Sequence, residues 1–297
     1  MCTIIAIKGR HPRFPLVVAA NRDEFYARPS TAPQLVHDAP RALAGVDLVK
    51  GGSWMGANEH GLFVAVTNQR SSQGADPRLS SRGEVVLEAL RRRSVREIVT
   101  LLEGLDAREY NAFNLMFGDA DALYVGYARD ARAIELEPLG DGLSVLANDR
   151  MGSPEFPKSE RALALAAPLA DAPWETLRAG LARALGDHEK PPLERIPEPA
   201  PEGRFDHGAK RSDGAPTPAS PADEPERRRR SAVTQRSEPM NRELLRELQA
   251  LCIHTPIYGT KSATVLALEP GRVAHYLFAD GPPCTTPFAD VSALFGS

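Results

Sequence analysis

The sequence predicts an α+β domain broken by one long insertion. Three observations carry that prediction: strand-like runs fill the first half, capped helical patterns lie between further strands, and strands return after a proline-rich stretch. The first run, Thr3-Ile4-Ile5-Ala6-Ile7 behind Cys2, is apolar and β-branched, as a short buried strand requires. "FPLVVAANRDE" supplies a second strand over 16–20, paired with the first through a turn at 9–15. In "GGSWMGANEHGLFVAVTN", Trp54-Met55 leads to a turn at 58–61 and a strand over 62–67. Two helices follow, each opened by a capping box: Ser81 stands three residues before Glu84, and Ser94 three before Glu97. Runs at 113–117, 123–127, 133–137 and 143–146 read as an antiparallel meander, with Asp119-Ala120-Asp121 as one turn. Helical patterns cover 158–170 and 174–185, the second opened by Pro173. A helix at 242–251 precedes strands at 263–268 and 273–278, joined by the turn Glu269-Pro270-Gly271-Arg272.

Residues 187–237 differ from the rest. They hold nine of the 26 prolines and a single aromatic, Phe205, so they cannot bury enough surface to offset chain entropy. The expected organisation is therefore one domain made of 1–186 and 238–297, with a disordered insertion at 187–237. Its "RRRR" at 227–230 reads as solvated linker charge. The rest of the composition is that of an ordinary globular chain: 42% hydrophobic, 25% charged and a net charge of −3, which argues against a nucleic-acid or anionic-membrane partner. Cys2, Cys252 and Cys284 are too few for a disulfide framework and suit a reducing compartment. The N-terminus lacks a signal-peptide pattern and no apolar run approaches a membrane span, so a cytoplasmic protein without integral membrane association is expected.

Polar residues gather where the strands end. From position alone, Cys2 reads as a small core residue. The alternative is a nucleophile, because removal of Met1 leaves it with a free α-amine as the nearest base, of pKa about 7.7. Asn21, Arg22, Asp23 and Glu24 follow the second strand, Asn68 ends another and Asn148 a third. Singly these are ordinary strand terminators. Together they supply an acyl-transfer site: Cys2 attacks, Asp23 orients the α-ammonium, Arg22 stabilises a thiolate or an anionic substrate, and Asn68 and Asn148 donate to an oxyanion. Trp54 reads as core or pocket wall. Asn114 reads as a turn residue or else a pocket residue, and Arg78 and Arg82 as solvated charges by default or else contacts for an anionic substrate. Cys252-Ile253-His254 supplies two potential ligands, too few for a metal site, so no metal and no cofactor are expected.

"MCTIIAIK", "LVVAANRDEFYARPS", "GGSWMGANEHGLFVAVTN", "SRGEVV", "YNAFNLMFGD", "LANDRM" and "IYGTKSATVLAL" together resemble the NRDE family, the transport and Golgi organisation proteins, whose name is the motif at Asn21–Glu24. That family is similar to N-terminal-nucleophile (Ntn) hydrolases, especially the bile-salt hydrolase and penicillin V acylase group. The resemblance implies an αββα four-layer sandwich and a cysteine amidohydrolase acting on an amide or acyl bond through Cys2. It assigns Asp23 to the α-amine, and Asn68 and Asn148 to the oxyanion. It departs from those hydrolases at Ala20, just before Asn21, with Arg22 in the intervening slot. Lys261 is the candidate for their late arginine, or else a surface turn residue. Asn21, Trp54 and Lys261 are the expected substrate-binding residues. The partner is then a small acyl or amide substrate. The alternative is a non-enzymatic carrier of haem, lipid or acyl-CoA on the same fold.

Overall fold

A computed structural model describes residues 2–69, 75–129, 131–196 and 241–296. The strands are β1 (Thr3–Lys8), β2 (Leu16–Phe25), β3 (Gln34–Asp38), β4 (Arg41–Ala44), β5 (Met55–Asn58), β6 (Phe63–Asn68), β7 (Phe113–Gly118), β8 (Leu123–Ala128), β9 (Glu135–Leu139), β10 (Gly142–Leu146), β11 (Tyr258–Glu269), β12 (Arg272–Ala279) and β13 (Ala289–Asp290). The helices are α1 (Arg82–Leu90), α2 (Val95–Glu103), α3 (Lys158–Ala166), α4 (Trp174–Leu185) and α5 (Arg242–Glu247). One sheet runs β10-β1-β2-β11-β12-β13 and the other β3-β4-β5-β6-β7-β8-β9.

Period-two patterning stacks these elements in four layers. Leu16, Val18 and Ala20 of β2 face the other sheet and pack with Leu43, Ala57, Phe63, Met116 and Val125. Val17 and Ala19 face the opposite way, onto Ala162 and Ala166 of α3 and Leu177 and Leu181 of α4. The outer face of the second sheet, with Val64, Leu115 and Phe117, is covered by Val86 and Ala89 of α1 and Ile98 and Leu102 of α2. The order is helix, sheet, sheet, helix, the αββα sandwich that was expected.

Several local expectations change. β10 leaves the meander formed by β7, β8 and β9 and pairs instead with β1, Ile4 opposite Leu146. The hairpin β3–β4 adds two strands to those the sequence pattern predicts, and β11 begins at Tyr258 rather than 263. Ser81 makes no side-chain cap; the Glu84 amide donates to the Ser81 carbonyl instead, at 3.1 Å. Ser94 does cap, accepting from the Glu97 amide at 3.3 Å, while the Glu97 carboxylate reaches one residue further back, to the Arg93 amide. The helix expected over 158–170 is α at 158–166 and tightens to a 3-10 turn at 167–169, where Pro168 removes a donor.

The head of the expected insertion is packed. Arg161 pairs with Asp187 at 2.9 Å, Lys190 with Glu247 at 2.5 Å, and Ile196 is buried. The Arg242 guanidinium donates to the carbonyls of Leu193 (2.7 Å) and Ile196 (3.0 Å), so the two ends of the remaining stretch lie side by side. Residues 197–237 lie outside the described residues. Replacing 197–237 with a short Gly/Ser bridge should therefore shift the melting temperature by only about a few degrees, whereas removing 187–237 should cost clearly more. Thermal melts of the two deletions check this, and an equal loss from both would contradict it.

Candidate active site

The register of the first sheet builds one end of the sandwich. Thr3 faces Asn21 across the β1–β2 ladder, which sets Cys2 at the level of Arg22. Alternation sends Ala20 and Arg22 toward the space between the sheets, and Asn21 and Asp23 toward the helices. Cys2, Arg22 and Trp54 line a narrow cleft with Met55, Ala65, Ser262 and Thr264, with a cavity volume of about 10 Å³.

Arg22 is 5% exposed. Its guanidinium lies 4.1 Å from the Trp54 ring centre and donates to the Ser30 hydroxyl at 3.0 Å. A cation held against a large ring keeps its charge at low desolvation cost. Burial lowers the Arg22 pKa, and the Glu24 carboxylate opposes that. Burial pushes the Cys2 thiol up from its ordinary value; the chain's terminal ammonium pulls it down, as do a hydrogen bond from the Asp23 backbone and the charge of Arg22.

Behind the cleft, Asp23 accepts a hydrogen bond from the Thr260 hydroxyl at 2.7 Å, and the Tyr258 hydroxyl donates to its backbone carbonyl at 2.8 Å. Lys158 Nζ stands 3.9 Å from Asp23 Oδ2, both side chains fully buried. Burial raises the Asp23 carboxyl and Lys158 opposes it; burial lowers the Lys158 ammonium and Asp23 opposes it. In the sequence Lys158 reads only as a helix start. The available signal was its spacing, four residues before Ala162 and eight before Ala166, on the buried stripe of α3.

The asparagines divide. Two residues beyond Leu146, which faces Ile4, Asn148 comes level with Cys2. It is buried and donates to the Asn68 carbonyl at 2.7 Å. The Asn68 side chain itself is exposed, and its main chain is what holds Asn148. Asn114, fully buried, donates to Thr67 Oγ1 (3.0 Å) and the Asp149 carbonyl (3.0 Å), stapling the loop that carries Asn148. Asn21 turns its side chain away from the cleft and donates to the carbonyls of Leu185 and Leu251, each at 2.8 Å. The Lys261 ammonium is bound to the carbonyls of Tyr26 and Arg28 and clamps the loop after β2.

Arg82 is half-buried rather than freely solvated. Burial lowers its pKa to about 10, and it lies within electrostatic reach of Arg28, Glu24 and Cys2. Arg78 is exposed and pairs with Asp76. Arg22, Arg28 and Arg82 thus give the cleft a cationic surround, partly offset by Glu24 and Asp47. Among the described residues, no helix is long and apolar enough to cross a membrane.

The chain is 33% identical over 146 residues to the Transport and Golgi organization protein 2 homolog of Bos taurus, and 33% identical over 141 residues to that of Homo sapiens. Each match covers 44% of this chain and spans about half (50%) of the curated relative's length. A mutant conjugated bile acid hydrolase from Clostridium perfringens aligns over 98% of this chain and 92% of its own, at 15% identity and TM-score 0.47. The Caenorhabditis elegans N-acylethanolamine-hydrolyzing acid amidase ortholog aligns over 61% and 85%, at 12% identity and TM-score 0.45. The family model described as Transport and Golgi organisation 2 matches residues 1–277, and the chain belongs to that family.

Proposed function

We propose that the chain is an Ntn-type cysteine hydrolase that cleaves an amide or related acyl bond, with Cys2 as nucleophile after loss of Met1. The observation that carries the reading is the convergence of Cys2 and the Arg22–Trp54 pair in one cleft, with the Asp23–Lys158 pair buried behind it. In the proposed cycle the α-amine takes the thiol proton and the thiolate adds to the substrate carbonyl. The resulting oxyanion takes a hydrogen bond from the second amide proton of Asn148, and from Asn68 where its exposed side chain turns inward. The α-ammonium then protonates the leaving amine as the C–N bond breaks, leaving an S-acyl enzyme. Water, deprotonated by the α-amine, adds to the thioester and returns the thiol and a carboxylic acid. Arg22 favours the thiolate, and Asp23, held by Thr260 and Lys158, orients the α-ammonium.

The cationic surround favours a substrate carrying negative charge near the scissile bond. The cleft has a cavity volume of only about 10 Å³, far below the roughly 300–1,000 Å³ of cavities that enclose drug-sized ligands. That suits a site presented with one reacting bond better than a carrier that wraps a haem or a long acyl chain.

The test is intact mass before and after treatment with a thiol-reactive acyl probe, on protein expressed without an N-terminal tag. The expected result is a chain lacking Met1 that takes up one acyl group at Cys2. A chain extended upstream of Cys2 should label more slowly near pH 7, because its thiol lacks the adjacent α-ammonium. Complete retention of Met1 would remove the proposed base.

A further inference from the structure

A second cluster of reactive side chains lies outside the cleft, on the helix side of the first sheet. His188, just past α4, Cys252 and His254, ahead of β11, and Cys284, in the turn after β12, each bring one ligand atom to within 4.8 Å of the other three. Cys252 Sγ lies 3.7 Å from Cys284 Sγ and 3.6 Å from His254 Nε2, which is itself 3.3 Å from Cys284 Sγ. A tetrahedral zinc with Zn–S of about 2.3 Å and Zn–N of about 2.0–2.1 Å has edges of about 3.8 Å between sulfurs and about 3.5 Å between sulfur and nitrogen. The three distances match those edges. They are too long for a Cys252–Cys284 disulfide, whose S–S bond is about 2.05 Å.

The surroundings hold the four groups in place. His188 Nδ1 is 3.0 Å from the Cys252 carbonyl oxygen, a hydrogen bond that puts the ring proton on Nδ1 and leaves Nε2 to ligate. The Cys252 amide donates to the Asp187 carbonyl at 2.9 Å, tying the first ligand segment to the second. Asn21 binds the carbonyls of Leu185 and Leu251, one residue or a few from those ligands, and so braces both segments from β2. At Gly186 a Cβ would come within 3.3 Å of the Cys284 backbone, so glycine lets the third segment close on the end of α4. Only Cys252 is buried; the other three are exposed, which leaves an entry path.

We propose that His188, Cys252, His254 and Cys284 bind one zinc ion in a closed tetrahedral site. Two thiolates and two imidazoles are a borderline-soft set that suits zinc and disfavours magnesium or calcium. Four protein ligands fill the coordination sphere, so the ion serves structure and leaves no position for substrate. Binding converts two thiols to thiolates and releases two protons, and the centre is then neutral. The clamp bears on the cleft from behind: Thr260 accepts from the Ile253 amide at 2.9 Å, between two of the ligands, and donates to Asp23.

The test is metal analysis of the full chain, purified in a metal-free reductant after incubation with zinc. The expected result is one zinc per chain, and tetrahedral ligand-field bands with a thiolate charge-transfer band when cobalt replaces it. Cys284→Ser and His188→Gln change exposed positions, so both should stay folded while losing zinc affinity by about tenfold or more. A chelator should lower the melting temperature of the wild type far more than that of either variant. Folded wild type that takes up no zinc under these conditions would overturn the proposal. So would equal zinc in wild type and Cys284→Ser, which places the ion elsewhere, or a Cys252–Cys284 disulfide in protein taken directly from a reducing cytosol.

Discussion

Cys2→Ala should abolish acyl-probe labelling and lower any amide turnover by on the order of 10³-fold or more, the scale seen when a covalent nucleophile is removed. The effect on stability should be small. Cys2 is only half-buried at the cleft wall, and trimming a thiol to a methyl there removes little packing. That asymmetry makes this variant the cleanest test of the site. Asp23→Asn is a poorer one, because it leaves the buried Lys158 ammonium without its carboxylate and so moves stability and turnover together. The measurement is labelling and turnover on a panel of N-acyl substrates, with a thermal melt alongside. Turnover surviving intact in a folded Cys2→Ala protein would sink the nucleophile assignment, and saturable haem binding without turnover in the wild type would favour a carrier.

What the sequence made legible was local. The β1 and β2 runs, the strand ends and the Arg22–Asp23 pair are all set by residues close in the chain, where period-two patterning and turn chemistry operate. That same period also held information left unused: if Ala20 and Arg22 face the cleft, Asn21 cannot, and its side chain bonds to Leu185 and Leu251 on the helix side. β10 had two sheets to choose between, and nothing in "GLSVL" says which edge it joins; β1 takes it because Leu146 then lies opposite Ile4 in the shared core. The Asp23–Lys158 pair and the His188, Cys252, His254 and Cys284 cluster join segments far apart in sequence. Cys252-Ile253-His254 showed only half of a ligand set, and a lysine opening a helix looks like any other solvated charge until its stripe is seen to be buried.

The second large effect is expected at that lysine. Lys158→Met should lower stability by about 3–5 kcal/mol, because removing one member of a buried ion pair leaves the other charge uncompensated. At about 2–4 °C per kcal/mol for a chain somewhat smaller than this one, the melting temperature should fall by on the order of 10 °C. The double variant Lys158→Met, Asp23→Asn should recover most of that loss, since a neutral pair of similar volume carries no such penalty. The pH dependence has a definite sign. Without Lys158, burial raises the Asp23 carboxyl further above its unfolded value of about 3.9. The native state then binds a proton that the unfolded chain has lost, and stability falls as pH rises through that interval. The deficit of Lys158→Met relative to wild type should therefore grow as the pH rises above about 4 and shrink as it is lowered toward that value. The double variant should show no such trend, and under the proposed cycle it should remain inactive, because a neutral amide in place of the Asp23 carboxylate cannot hold a Cys2 α-ammonium by charge. Melts of the wild type, both single variants and the double variant across that pH range measure the coupling; strictly additive losses would mean that the two groups do not interact.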